Sequence, residues 1–220
     1  MMTDTLIVDT GSANIWIGAN KSYVETSTSH DTGDAVVCSY FSPKPLSDLM
    51  GSTKSLRYGS GNFTGEEWTD TVTISPGLVI EQQSIGVANS SFGLNGLDGI
   101  LGLGPVDLTN GTVSGVSTVP TVSNNLLSQE KISEEVLGVY FNPATNQNKS
   151  GELTFGGYDE SAVISPVQYV PLTKTSPASR FWGFDQSISY GNETILPLTA
   201  GIVDTGSTFI MIASSESCVM

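Results

Sequence analysis

The chain reads as a succession of short apolar pieces separated by Gly, Ser, Thr and Asn, with few stretches that suit a helix. Between Trp68 and Ile74 the alternation is clearest. Trp68, Asp70, Val72 and Ile74 fall on one side and Thr69, Thr71 and Thr73 on the other, the period of a half-buried strand. Asp70 is the polar exception on the apolar side and is expected to make a buried hydrogen bond there. Thr5 to Ile17 predicts strand, tight turn, strand, and Leu56 to Gly65 predicts a β-hairpin whose tip is Gly59-Ser60-Gly61. Leu97 to Gly104 is apolar and rich in glycine. A phosphate-binding loop would need a helix directly after those glycines, whereas Pro105-Val106-Asp107 follows, so a buried strand lying close to another backbone is expected instead. Strand character returns at Val139 to Phe141, Glu152 to Phe155, Gln168 to Leu172 and Trp182 to Ser189. Residues 20–55 suit loops and short edge strands. Helices are predicted only at Val122 to Lys131 and Ser133 to Leu137, the second with Ser133 as N-cap and Glu134 and Glu135 in its first turn. The pattern as a whole is all-β.

One apolar piece occurs twice. Ile7-Val8-Asp9-Thr10-Gly11-Ser12 returns unchanged as Ile202-Val203-Asp204-Thr205-Gly206-Ser207, and apolar residues follow each copy. The β-branched pair before each Asp favours an extended backbone, and the Gly lets the turn close and another group come near. A single Asp-Thr-Gly is commonly a turn whose Asp caps backbone amides. Two identical ones point to two related halves that each bring one carboxylate to a shared site. Two carboxyls a few ångströms apart cannot both ionise cheaply, so the pair holds an acid and a base at once. Such a pair can deprotonate a water while protonating a carbonyl oxygen.

Composition narrows the alternatives. The 220 residues are long enough for one large or two small domains with a real core. Twenty-two acidic residues against eight basic ones give a formal charge of −14, which leaves no basic face for nucleic acid. No apolar run has the length of a membrane span. Scarcity of Lys and Arg suits work in acid, where carboxylates lose their charge. His30 is the only histidine and is expected to be a solvated loop residue, so a Ser-His-Asp or Cys-His mechanism would rest on it alone and no His cluster exists for zinc. No cofactor is expected. Cys38 and Cys218 are too few for a disulfide framework, and either pairing or free thiols fit the sequence. Asn-x-Ser/Thr sequons begin at Asn20, Asn62, Asn89, Asn110, Asn148 and Asn192 and permit a secretory or vacuolar route. Met1 to Asp4 has no basic segment and no apolar core, so a leader, if there is one, lies outside these residues.

Together these motifs resemble the pepsin-like aspartic proteases, particularly those of fungi. The resemblance covers essentially the whole chain in order: Asp9-Thr10-Gly11-Ser12 with Asn14-Ile15-Trp16, Tyr58-Gly59-Ser60-Gly61, Asp98 to Gly102, Phe155-Gly156-Gly157-Tyr158-Asp159, Phe181-Trp182 leading to Ile188, and Asp204-Thr205-Gly206-Ser207. It implies a bilobal β-protein that cuts peptide bonds in acid; the one-proton carboxyl pair is that family's established chemistry. On this resemblance residues 1–160 are the first lobe and 161–220 the beginning of the second. Asp9 and Asp204 match the catalytic pair, Thr10 and Thr205 the residues that brace the turns, and Ser12 a donor to the first carboxylate. Gly11, Gly206 and Ser207 complete the turns. Tyr58 matches the flap tyrosine that closes over substrate and bonds Trp16, with Gly59 and Ser60 against the substrate backbone. Leu97, Ile100 and Phe92 match walls of the main side-chain pocket, which implies bulky apolar residues around the cut bond. The expected partner is an extended polypeptide, and the expected state is a monomer because both Asp turns lie in one chain.

The resemblance departs at the ends. Family members carry a strand pair before the first aspartate, and a second supporting strand after the second, where this chain has 16 residues left. The expectation is a second lobe lacking its later half, truncated at both ends. An inactive fragment, or a non-catalytic binding protein on the same scaffold, is therefore the alternative. Retention of Asp9, Asp204 and Tyr58 favours the enzyme.

Overall fold

The structure is a computed structural model that describes residues 3–39, 62–94, 96–142 and 150–212. Its centre is the apolar run at 15–17, which forms strand β2 (Ile15–Ile17) with all three residues buried. A strand alternates its side chains, so β2 feeds two cores. Ile15 and Ile17 join Ile80, Ile85, Leu101, Leu103, Val122 and Leu126 in one, while Trp16 joins Val36, Phe63, Ile100 and Val113 in the other. Burial on both faces is why this stretch reads as continuously apolar rather than alternating.

Around it lies a six-stranded sheet made of β1 (Leu6–Asp9), β3 (His30–Ser39), β4 (Asn62–Ser75), β5 (Leu78–Phe92) and β6 (Gly99–Gly102), in the order β1-β6-β2-β5-β4-β3. Strand β6 lies between β1, parallel with Asp9 opposite Gly102, and β2, antiparallel with Trp16 opposite Ile100. All four of its residues are buried, as the sequence led us to expect. Its glycines are what permit the approach: a Cβ on Gly102 would stand 2.5 Å from the Asn14 carbonyl oxygen. Strands β4 and β5 form one long hairpin closed at Pro76-Gly77, with Ser75 opposite Leu78.

The alternation along β4 is realised, and Asp70 on its apolar side is 4% exposed. It accepts bonds from Tyr23 (2.7 Å), Ser29 (2.7 Å), Thr26 (3.0 Å), Thr28 and its neighbour's backbone N–H, Thr71 (2.7 Å). Burial opposes its ionisation, but the donors of Thr28, Tyr23, Ser29 and Thr71 outweigh it and hold the carboxyl well below the ordinary range. Asp70 thereby ties the loop at residues 23–29 to the sheet.

Beyond the sheet come a short helix α1 (Val122–Ser128), a pair β7 (Leu137–Tyr140) with β8 (Glu152–Phe155), and a hairpin β9 (Gly183–Tyr190) with β10 (Glu193–Ile202). Helix α1 starts where Thr121 and Asn124 cap each other, at 3.2 and 3.1 Å. It stops at Ser128, short of the expected Lys131, because Glu130 takes a left-handed backbone (φ 55°) and the Lys131 N–H turns back to the Leu126 carbonyl at 2.8 Å.

Three expectations differ from the structure. Ser133 to Leu137 is not a helix: five residues are too few to nucleate one unaided, and Leu137 instead opens β7 opposite Phe155. Gln168 to Leu172 forms no strand; it is exposed, with Pro166 just before it and Pro171 within it, and neither proline can donate to a ladder. The 20–55 stretch holds a ten-residue strand, β3, at the sheet edge, with a bulge between Asp31 and Ala35 that absorbs Thr32-Gly33-Asp34. His30 begins that strand opposite Thr69 and is solvent-exposed, as expected, though not in a loop.

Candidate active site

The duplicated hexapeptide becomes a duplicated geometry. Asp9 ends β1, and Asp204 stands two residues past the end of β10. Within each turn the Gly N–H donates to Oδ1 of the Asp at 2.9 Å, for Gly11 to Asp9 and for Gly206 to Asp204. Each Ser hydroxyl donates to Oδ2, Ser12 to Asp9 at 2.5 Å and Ser207 to Asp204 at 2.6 Å. Identical local sequence thus gives each carboxylate the same two donors, which fix its plane.

The threonines join the two turns. Thr10 N–H donates to Thr205 Oγ1 and Thr205 N–H to Thr10 Oγ1, both at 3.0 Å. Thr10 Oγ1 in turn donates to the Val203 carbonyl and Thr205 Oγ1 to the Val8 carbonyl, both at 2.8 Å. This four-bond cross-brace has twofold symmetry and runs between strands nearly 200 residues apart in sequence. Val8 and Val203 enter it through their carbonyls alone, which no side-chain pattern reveals. The glycines let the turns meet. A Cβ on Gly11 would lie 2.6 Å from Asp204 Oδ1, and one on Gly206 would run into Asp9 Oδ1. Behind the first turn, the Leu103 N–H holds the Asp9 carbonyl at 2.8 Å and the Gly104 N–H holds the Ser12 carbonyl at 2.7 Å.

Asp9 is 2% exposed. Burial pushes its carboxyl up; bonds from Ser12 and Gly11 pull it down, and a hydrogen bond with Asp204 together with that group's charge push it up again, to about 6. Two carboxyls within hydrogen-bond reach share a proton far more readily than they carry two charges. Among the described residues no group of three or more His, Cys, Asp and Glu is arranged to hold a metal ion.

The other residues singled out from sequence fall as follows. Trp16 is 1% exposed and stacks on Phe63, ring centres 4.2 Å apart and planes 18° from parallel. Ile100 is 2% exposed in the same cluster, Leu97 is half-buried just before β6, and Phe92 is exposed at the end of β5. Tyr58, Gly59 and Ser60 lie outside the described residues, as does Cys218.

Comparison with known proteins decides the family. The family model described as eukaryotic aspartyl protease matches residues 2–218. The chain belongs to the eukaryotic aspartyl proteases. Polyporopepsin of Irpex lacteus is 50% identical to this chain over 216 residues, 96% of the chain and 58% of the relative. Rhizopuspepsin-1 of Rhizopus niveus is 34% identical across 93% of the chain and 49% of its own length, and cathepsin E of Rattus norvegicus 30% identical across 94% and 49%. The crystal structure of the aspartic proteinase from Irpex lacteus superimposes with a TM-score of 0.86 over 98% of this chain and 59% of that one. The chain thus spans about half to three-fifths of the length of these relatives. No helix among the described residues is long and apolar enough to cross a membrane.

Proposed function

We propose that the chain carries the catalytic pair of an aspartic endopeptidase, with Asp9 and Asp204 acting on one water. The observation that carries this reading is the cross-brace of Thr10 and Thr205, which holds two identically built Asp turns against each other. The charged carboxylate of the pair takes a proton from the water as its oxygen attacks the peptide carbonyl carbon. The protonated partner gives its proton to the carbonyl oxygen. The resulting diol collapses by breaking the C–N bond, with a proton passing to the leaving amine. Both carboxyls already sit against fixed donors, so little reorganisation is needed as charge moves.

In this reading residues 1–160 form the first lobe and 161–220 the start of the second, and an extended polypeptide lies between them. Leu97, Ile100 and Phe92 line the pocket that prefers bulky apolar side chains, and Tyr58, Gly59 and Ser60 close over the substrate. The protein acts as a monomer in a secreted or vacuolar compartment, since both carboxylates come from one chain and the sequons permit glycosylation. A non-catalytic binding protein would have no use for two carboxyls held within bonding reach of each other. Hydrolysis of acid-unfolded haemoglobin tests the reading: cleavage that pepstatin stops and Asp9→Asn abolishes is expected. A folded chain with no cleavage at any acid pH would overturn it.

A further inference from the structure

Trp182 lies outside the duplicated hexapeptides, between a turn at Ala178–Arg180 and strand β9, yet it touches the backbone behind both. Its carbonyl accepts the Val203 N–H at 2.9 Å, which extends the β9–β10 ladder by one rung, up to the residue before Asp204. Its indole Nε1–H donates across to the Leu103 carbonyl at 2.9 Å. Leu103 is the residue whose own N–H holds the Asp9 carbonyl at 2.8 Å. A path of hydrogen bonds therefore runs from the Asp9 carbonyl through Leu103 and Trp182 to the N–H of Val203, the residue before Asp204. The bracing threonines tie the turns together at their tips, and Trp182 ties them at their base. Two ties at different depths fix an angle as well as a distance, which one tie cannot do.

We infer that Trp182 is a positioning residue for the carboxyl pair, its indole N–H setting how closely the Asp204 turn approaches Asp9. The residue type follows from the geometry. The donor must reach across from one strand system to the other on a side chain with only two rotatable bonds, and of the aromatic residues Trp alone carries an N–H on a rigid two-ring body. A second crossing bond, Arg180 Nη2 to the Asp107 carbonyl at 2.7 Å, reaches the segment just beyond Leu103 but neither Asp turn. Trp182 is half-buried, so the bond is partly shielded from competing water.

The inference rests on the endopeptidase reading for its catalytic consequence but not for its geometric one, and the test separates them. Trp182→Phe keeps an aromatic body and removes the donor. A benzothiophene analogue of tryptophan at position 182 keeps the full two-ring shape without the N–H, and serves if the Phe variant does not fold. The Asp9 carboxyl titration is followed by carbon NMR, alongside haemoglobin-derived peptide hydrolysis. With the donor gone, Asp204 moves away, and the Asp9 midpoint should fall by half a pH unit or more. kcat should fall about tenfold with KM within twofold, since a small misplacement acts on the reacting atoms rather than on binding. In an Asp204→Asn background the same change should leave the Asp9 midpoint where it is. An unmoved midpoint and unchanged kcat in the folded isostere would overturn the inference, as would an equal shift in the Asp204→Asn background. A midpoint that moves while neither wild type nor variant hydrolyses peptide supports the positioning role and refutes the endopeptidase reading.

Discussion

Glu67 offers a stability test that is independent of catalysis. It lies on β4, is 3% exposed, and its Oε2 has no hydrogen-bond partner among the described residues, while Oε1 accepts the Ser84 hydroxyl. Burial pushes the carboxyl up, the Ser84 bond pulls it back and the Asp34 charge adds to the rise, for a net value of about 7 against an ordinary 4.5. Between those two values the folded chain binds a proton that the unfolded chain has released, so stability falls as pH rises through that window. Below pH 4.5 there is no penalty from this group, and above pH 7 it is complete. At about 1.4 kcal/mol for each pH unit the penalty is about 3 kcal/mol, a sizeable part of a typical domain's net stability of roughly 5–15 kcal/mol. Glu67→Gln removes the titration but keeps the shape. Urea unfolding of both proteins, read by tryptophan fluorescence from pH 4 to pH 8, gives the difference in stability at each pH. A fixed offset from the amide's own hydrogen-bonding needs appears at every pH and drops out, as does the Asp9 titration common to both proteins. The difference should move by about 3 kcal/mol in favour of Gln between the ends of the range. A difference that stays constant within about 0.5 kcal/mol would show that Glu67 titrates normally and would refute the argument from its burial.

Other substitutions test the site itself. Thr205→Val removes two of the four bracing bonds and leaves the Val8 carbonyl and Thr10 N–H without partners; a loss of about 3 kcal/mol in urea unfolding is expected. Thr10→Val in the same protein should add much less than it costs alone, because the two form one unit. Gly11→Ala places a Cβ against Asp204 Oδ1 and should cut kcat by about a hundredfold in a folded protein. Asp70→Ala, which deprives Tyr23, Thr26, Thr28 and Ser29 of their common acceptor, should lower Tm in calorimetry at neutral pH. That deficit should shrink in strong acid, because a carboxyl held below its ordinary range contributes stability that is lost as it protonates.

What could be read in the sequence was local or duplicated. The alternation of β4 and the glycine-punctuated apolar run of β6 state their own burial, and the repeated Ile-Val-Asp-Thr-Gly-Ser states that two turns share one geometry. What could not be read depended on a partner distant in the chain. Leu137 follows a capped, acidic stretch that reads as the start of a helix, but it pairs with Phe155 across an intervening segment. Gln168 to Leu172 has strand composition but no partner strand among the described residues. His30 to Ser39 looks like loop because its bulge carries Thr32-Gly33-Asp34, yet β4 supplies a full-length template beside it. The carbonyls of Val8, Val203 and Leu103 serve the site through backbone atoms that every residue possesses, so no residue type marks them. Trp182 is visible as a motif residue, but its indole's acceptor on Leu103 is not.

The account's central claim is that Asp9 and Asp204 form one unit that shares a proton. Following the side-chain carboxyl carbons of both residues by NMR from pH 2 to pH 8, in the wild type and in Asp204→Asn, tests it most directly. The Asp9 carboxyl should release its proton late, near pH 6, and the Asp204→Asn substitution should move the Asp9 midpoint downward. An Asp9 midpoint at its ordinary value of 3.8, indifferent to the loss of its neighbour, would contradict the claim.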